Sequence, residues 1–397
     1  MKRILVVINT LGRAGAERAL IEFLRQFDPN RFMISLYVLT GQGEMIHEIP
    51  AYVTLLNRRY DDSPVYGRAG KRRLKRKIFR ALFCHGAFVK NIPYLCLNMY
   101  AMLKEKRVLP DKLLWRVLSD GGLRQKERYD LAVAFLEGGS AYYVADHVRA
   151  EKKAAFFHVD YGKAGYSRRL DRDCYLAYDK IFPVSDSVKD SFLNVYPECA
   201  DRTEVFPNIL DRKKIRELAE VPGGFGDVYD GFRILSVGRL TAQKSWEVSV
   251  GAMKLLKDAK VRARWYVLGE GDERGYLEKR IKMLGLEEDF LLPGAVENPY
   301  PYMKQADIYV HASRFEGKSI AVQEAQILGK AILASESSSE QIENDVDGIL
   351  CAFTAESICR KATELLRDGK KRERLGKAAA LKSQSVHQAM DKLFELL

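Results

Sequence analysis

Two acids and two cations in the second half of the chain are spaced for work on a phosphorylated ligand. The run Glu316-Gly-Lys-Ser-Ile-Ala-Val-Gln-Glu324 sets two carboxylates eight positions apart. With Glu316 in a loop and Glu324 in the following helix, the pair could reach two parts of one molecule. One would be a bidentate acceptor for vicinal hydroxyls, as on a ribose, and the other an acid beside a sugar. Ser319 is a good N-cap residue, so the helix is expected to run from Ser319 to Gly329. The plain alternative is a loop acid and a surface helix charge, but Val322, Ala325, Ile327 and Leu328 set Glu324 close to a buried face. Upstream, Arg239 and Lys244 follow an apolar run and could aim a guanidinium and an ammonium at a diphosphate. Cations there would neutralise charge growing on a departing nucleoside diphosphate. Beside the positive end of a helix dipole they are unfavourable unless an anion joins them, which favours a ligand over two solvated charges.

The hydrophobic rhythm shows what must position these groups. Apolar Ile4 to Ile8, glycines 12 and 15, amphipathic Ala16 to Leu24 and apolar Ile34 to Leu39 form a βαβ pattern. Runs at Leu131 to Phe135, Ala154 to Phe157 and Ile181 to Val184 continue it, with Lys71 to Arg128 as a helical interruption. The rhythm restarts at Phe232, with strands at Ile234 to Val237 and Trp265 to Leu268 and others near Phe290, Ile308 and Ile332. The expected class is α/β, two doubly wound Rossmann-like domains in tandem. The first spans 1–207 with a basic helical insertion over about 71–128, the second spans 208–385, and 386–397 form a terminal amphipathic helix. The hinge is placed near Pro207, and Pro222-Gly-Gly-Phe-Gly226 marks a loop within weakly patterned 208–231. Ligands of such folds gather at the carboxyl ends of strands, beside helix N-termini, where each of these motifs falls.

Composition excludes other classes. Hydrophobic residues make up 47% and charged residues 30%, as in a folded globular protein. The six cysteines lack the paired short spacings of a zinc site or a disulfide framework. Ile4 to Ile8 is too short for a secretory h-region, and nothing approaches the ~20 apolar residues of a membrane span. A cytoplasmic protein is expected, with any membrane contact peripheral, at the inner face of the cell membrane.

Four motifs in order carry a family resemblance: Val237-Gly-Arg-Leu240 with Lys244, Leu268-Gly-Glu-Gly-Asp-Glu273, Pro293-Gly-Ala-Val-Glu-Asn-Pro-Tyr300, and Ser313 to Glu324. The set resembles family 4 of the retaining glycosyltransferases, of group 1 type, and is similar to enzymes of bacterial envelope or capsular polysaccharide synthesis. The resemblance implies the GT-B fold, two Rossmann-like domains facing a central cleft. It implies Arg239 and Lys244, with Gly15, on the donor diphosphate. Glu324 would hold the ribose, and Val296 and Asn298 the base, largely through backbone groups. Glu316 would lie beside the transferred sugar as a catalytic group. No metal or cofactor is implied; a nucleotide sugar, most readily a UDP-sugar, is the co-substrate. Transfer would retain anomeric configuration by a front-face mechanism in which the departing phosphate helps deprotonate the acceptor.

The first half resembles the family more loosely. Leu11-Gly-Arg-Ala-Gly-Ala-Glu-Arg18 looks like its glycine-rich loop, where Gly12 and Gly15 let backbone N–H groups approach phosphates or acceptor. His158 matches the family's cleft histidine, which the resemblance implies is a catalytic group in contact with the transferred sugar, and Asp160 follows; a lone histidine after a strand is otherwise more often structural. Glu137-Gly-Gly139 is either an acceptor loop or a plain turn. Three departures stand out: Ser245 follows Lys244 where the family has glycine, Lys318-Ser319 follow Glu316-Gly317, and Ser335-Glu-Ser-Ser-Ser-Glu340 is less glycine-rich. Lys318 could contact a polar or acidic donor sugar or simply face solvent, and Ser319 is a candidate on the same sugar side.

Lys71 to Arg80 holds seven cations in ten residues without an acid. As a basic amphipathic helix it could lie on anionic lipid with Leu74, Ile78, Phe79, Leu82 and Phe83 turned inward, or remain a solvated helix on the sheet. Nucleic acid is not expected, since no recognised binding module accompanies the charge. The functional expectation is transfer of a hexose-type sugar from a nucleotide donor to a saccharide or lipid-linked acceptor. A catalytically inactive GT-B partner subunit and a GT-B nucleotide-sugar epimerase are the alternatives.

Overall fold

The computed structural model describes the chain except residues 66–67, 106–109, 243, 315–317 and 383–385. Two compact units emerge: Met1–Ile209 with Val386–Leu397, and Leu210–Ser385.

The first unit is built on six parallel strands: β1 (Lys2–Ile8), β2 (Phe32–Val38), β3 (Thr54–Leu55), β4 (Arg128–Ala134), β5 (Arg149–Phe157) and β6 (Lys180–Pro183). They lie in the order β3-β2-β1-β4-β5-β6. Ile4 sits opposite Ile34 on one side and Leu131 on the other. Ile4 to Ile8 are wholly buried, which is why this central strand reads as one apolar run and not as an alternation. Three helices, Arg68–Phe83, Ala87–Glu105 and Pro110–Asp120, enter between β3 and β4. The terminal helix Val386–Phe394 packs on this unit: Phe394 stacks on Phe32 at 5.3 Å between ring centroids, and Leu393 is buried.

The second unit repeats the design with β7 (Phe232–Val237), β8 (Ala263–Leu268), β9 (Phe290–Gly294), β10 (Ile308–His311), β11 (Ile332–Ser335) and β12 (Ile349–Cys351), again all parallel. Their order is β12-β11-β10-β7-β8-β9. Counted from β7, this is the order of the first sheet. The strand order therefore reverses between β1 and β4 in one unit and between β7 and β10 in the other, the places where doubly wound sheets open a crevice.

Three elements differ from the sequence expectation. Strands β3 and β12, two and three residues long, carry no patterning of their own. The stretch 208–231 holds a helix, Arg212–Glu220, capped by Asp211, whose carboxylate accepts from Lys214 N at 2.9 Å. Within it only Ile215 and Ala219 are buried, too little apolar repetition to signal a helix.

Candidate functional site

The loop after β7 carries the two cations. Gly238 N continues the sheet to Leu268 O, and Trp246, the first residue of the helix Trp246–Asp258, donates its indole N–H to Arg239 O at 2.9 Å. The backbone of Arg239 is thus pinned while its side chain stays exposed. Two glycines of the neighbouring β8 loop make this packing possible. A Cβ on Gly269, whose φ is +157°, would lie 1.9 Å from Gly238 O, and one on Gly271 would lie 2.2 Å from Leu240 O. The Gly-Glu-Gly of the motif is therefore a steric requirement of the loop that presents Arg239.

Half-buried Lys244 reaches across the reversal of strand order, placing Nζ 3.4 Å from Nε2 of His311, the last residue of β10. Ser245, which follows it, is buried and left-handed, with φ 45° and ψ 53°. Glycine adopts that region without strain. A serine is held there by its hydroxyl, which donates to Ala242 O at 2.8 Å and accepts from Arg314 Nε. Arg314 Nη2 also binds Glu247 Oε1 at 3.2 Å. The serine departure thus keeps the glycine backbone and adds a clasp from the β10 loop.

Glu316 lies outside the described residues, with neighbours 315 and 317. Beyond it Lys318 is half-buried and Ser319 occupies the N-cap of the helix Ile320–Ile327, shorter at both ends than the expected span. The Ser319 hydroxyl makes no capping bond; instead Gln341 clamps its backbone, accepting from N at 2.6 Å and donating to O at 3.0 Å. The serine-rich turn after β11 braces the same region, since the hydroxyls of Ser335 and Ser337 donate to Ser313 O at 2.8 and 2.9 Å. Glu324 is 2% exposed, and Tyr300 Oη donates to its Oε1 at 2.8 Å. Asn298 is tied into the fold, donating to Leu218 O at 2.8 Å and accepting from Tyr300 N at 3.2 Å. Its side chain shapes the loop, while Val296 beside it is half-buried.

In the first unit the loops after β1, β4 and β5 are joined. Asn9 donates to Glu137 O at 3.2 Å and accepts from Ser140 N at 2.7 Å. The buried Glu137 carboxylate in turn accepts from His158 N at 3.1 Å. Glu137-Gly-Gly139 is thus more than a plain turn: Gly138 has φ +79°, and a Cβ on Gly139 would crowd Leu39, Trp115 and Asn9 within 2.9 Å. Burial pushes the His158 imidazole down to about 4, against a hydrogen bond to the Phe135 backbone that favours the charged form. Its Nε2 is shielded and has no partner among the described residues. Asp160 is engaged locally, accepting from Ser191 Oγ at 2.6 Å and Lys163 N at 3.0 Å. Gly12 is buried, and Gly15 is exposed at the start of the helix Gly15–Leu24, where Ala14 leaves the N-cap without a side-chain acceptor.

Asn9, Tyr300, His311 and Arg314 belong to these arrangements although the sequence assigns them no role; Tyr300 and Arg314 stand inside quoted motifs, Asn9 and His311 outside them. Position offers a signal for two: Asn9 ends the first apolar run, and Arg314 stands two residues before Glu316. One expectation is corrected. Phe79 and Phe83 of the basic helix do not turn inward; they are 62% and 69% exposed, because Gly70, Leu74 and Lys77 occupy the inner side. Asp120, Asp146 and His147 approach within ligand distance of one another. Lys90 and Asn91 already hold Asp120, and Arg116 holds Asp146, so the charge is balanced within the protein.

Comparison with known proteins agrees with this layout. The chain is 30% identical over 224 residues, 55% of its length and 58% of the relative's, to an N-acetylgalactosamine-N,N'-diacetylbacillosaminyl-diphospho-undecaprenol 4-alpha-N-acetylgalactosaminyltransferase of Campylobacter jejuni. It is 26% identical over 139 residues, 34% of each chain, to an uncharacterized glycosyltransferase of Methanocaldococcus jannaschii. The matches therefore span about a third to three fifths of these relatives. Anabaena HepE, solved in complex with UDP-glucose, superposes over 100% of this chain and 99% of its own with a TM-score of 0.68 at 16% identity, a likeness of fold. Residues 228–382 match the family described as glycosyl transferases group 1. Arg239, Lys244 and Glu324 all fall within that match, in a chain whose two doubly wound domains have the GT-B fold.

Proposed function

We propose that the protein is a retaining glycosyltransferase that moves a hexose-type sugar from a nucleoside diphosphate donor, most readily a UDP-sugar, to a saccharide or lipid-linked acceptor in envelope polysaccharide or glycolipid synthesis. The observation that carries this reading is the meeting of Lys244 and His311 across the reversal of strand order, with Arg239 on the same loop. A diphosphate placed there gains two cations aimed where charge grows as the sugar departs. Glu324, its carboxylate set by Tyr300, takes the ribose hydroxyls, and the loop at Val296 and Asn298 takes the base.

His158 is neutral at physiological pH. With one ring nitrogen donating to the Phe135 backbone, Nε2 offers a lone pair to a sugar hydroxyl. Glu316, Lys318 and Ser319 serve the transferred sugar, and Glu137, Asp160, Gly12 and Gly15 shape the loops that meet phosphate or acceptor. The chemistry requires no metal on this reading. The relative whose name specifies a diphospho-undecaprenol acceptor and the neighbour solved with UDP-glucose both support it. The basic helix Arg68–Phe83 brings the first unit to an anionic membrane surface, at the inner face of the cell membrane, where a lipid-linked acceptor is carried.

The test is a panel of nucleotide sugars offered to the purified chain, with nucleoside diphosphate release and product anomeric configuration as readouts. Lys244→Ala and Glu324→Ala should each lower donor turnover on the order of 10²-fold with the fold intact. Near-normal turnover in the double variant would overturn the assignment, and an inverted product would overturn retention.

A further inference from the structure

The helix Ala87–Glu105 is amphipathic in the wrong sense for water. Its inner stripe, Ala87, Asn91, Tyr94 and Asn98, recurs at helical spacing and includes two buried asparagines. The side-chain amides of both donate inward, although Asn91 Oδ1 finds no partner among the described residues. Asn91 Nδ2 donates to Ala87 O at 2.9 Å and Asp120 Oδ2 at 2.6 Å; Asn98 Nδ2 donates to Tyr94 O at 2.8 Å, and its Oδ1 accepts from Arg169 Nε at 3.2 Å. The opposite stripe is Phe88, Val89, Ile92, Met99, Tyr100 and Leu103, 40% to 76% exposed. A helix facing water shows the reverse arrangement. From Phe88 to Leu103 the sole charged residue is Lys90, and its ammonium turns to Asp120 Oδ1 at 2.7 Å.

The preceding helix, joined through the turn Cys84–Gly86, supplies charge. Asp61 draws Arg73 and Lys77, at 3.1 and 3.9 Å. Arg72, Lys75, Arg76 and Arg80 have no carboxylate partner among the described residues, and with Phe79 they line one shallow depression of about 400 Å³. Phe79 and Phe83 meet edge to face at 5.1 Å on the same exposed surface. Apolar side chains beside unpaired cations match the two layers of an anionic bilayer, acyl chains and headgroup phosphates. A protein partner would account for the apolar stripe but gives no reason for four cations without a carboxylate partner on the helix packed against it. No described helix is long and apolar enough to cross a membrane, so the element would lie in the interface.

We infer that the outward face of Ala87–Glu105, with Phe79 and Phe83, penetrates the acyl boundary of an anionic lipid surface while Arg72, Lys75, Arg76 and Arg80 bind its headgroups. This rests on the membrane contact proposed above and names the side chains that enter the lipid. The depth is about 5–10 Å, as for other interfacial helices.

Cys96 is exposed on the outward face and serves as a label site once exposed Cys84 is replaced by Ser. The full chain, labelled there with an environment-sensitive fluorophore, is mixed with vesicles of phosphatidylcholine alone or with phosphatidylglycerol. The expected result is a blue shift, and quenching by acyl-chain spin labels, on the anionic vesicles only. Val89→Ser, Met99→Ser and Leu103→Ser together should weaken vesicle partitioning by more than about tenfold without changing the melting temperature. Co-sedimentation without a shift overturns penetration and leaves the peripheral contact standing. No co-sedimentation overturns both, and a shift produced by self-association without lipid, seen by light scattering, assigns the face to a second copy. Donor turnover with a soluble acceptor, measured alongside, reports on the transferase reading separately.

Discussion

Arg314 Nε donates to Ser245 Oγ, so the loop after β10 holds a left-handed residue in the loop after β7. The two loops that flank the reversal of strand order are thereby fastened to each other next to Lys244. For a residue other than glycine that backbone costs roughly 1–2 kcal/mol. The hydroxyl bonds offset it.

Ser245→Ala keeps the backbone strain and loses both hydroxyl bonds. Urea denaturation should show a loss of about 1–2 kcal/mol. Ser245→Gly relieves the strain at the cost of a more flexible unfolded chain and should remain within about 1 kcal/mol of the parent. An alanine variant as stable as the glycine one would refute this account of the turn.

Gly269→Ala and Gly271→Ala each drive a methyl into a backbone carbonyl, Gly238 O or Leu240 O. Each should cost about 2–4 kcal/mol and lower donor affinity by displacing Arg239. Gly275→Ala, where nothing lies within 4 Å, is the control inside the helix Arg274–Met283. It should gain roughly 0.5–1 kcal/mol, as alanine does over glycine in a helix.

His158 titrates near 4 in the folded chain against an ordinary value of 6.5. The unfolded chain therefore takes up this proton first. Its contribution is present in full above pH 6.5 and is lost as pH falls through 4. His158→Gln should flatten the acid limb of the stability profile by on the order of 2 kcal/mol between those values. NMR of the imidazole should show a neutral ring at pH 6.

Tyr300→Phe removes the hydroxyl that donates to Glu324 Oε1. Stability should fall by about 1–2 kcal/mol. If Glu324 holds the ribose, the donor KM should rise more than kcat falls, because the nucleoside is bound alike before and during transfer. A fall confined to kcat would place Tyr300 elsewhere in the mechanism.

Much of this was legible because the central strands are buried on both faces. Ile4 to Ile8 and Ile234 to Leu235 announce themselves as apolar runs wherever they occur. Thr54–Leu55 and Ile349–Cys351 do not, since strands this short gain their identity from the sheet beside them. Lys244 and Glu324 were readable as charges in ordered motifs. Arg314 and Tyr300 stand in the same motifs, but their roles were not readable, because their work is to hold a neighbour 69 and 24 positions away, and such pairings leave no local spacing. Phe79 and Phe83 misled for a related reason: apolar repetition reveals that a helix has two faces, and not which of them meets the sheet.

The terminal helix gives the chain an order of assembly. Lys392 pairs with Glu204 at 2.7 Å and Phe394 lies against Phe27 and Phe32, all within the unit that begins at Met1. The second unit is thus, topologically, a passenger inserted into the first. On the ribosome it can close around its own core first, while the flank of the opening unit holding Phe27 and Phe32 stays bare until residues 386–397 have been synthesised. A nascent chain stalled before that point would carry one finished domain and one sticky, unfinished one.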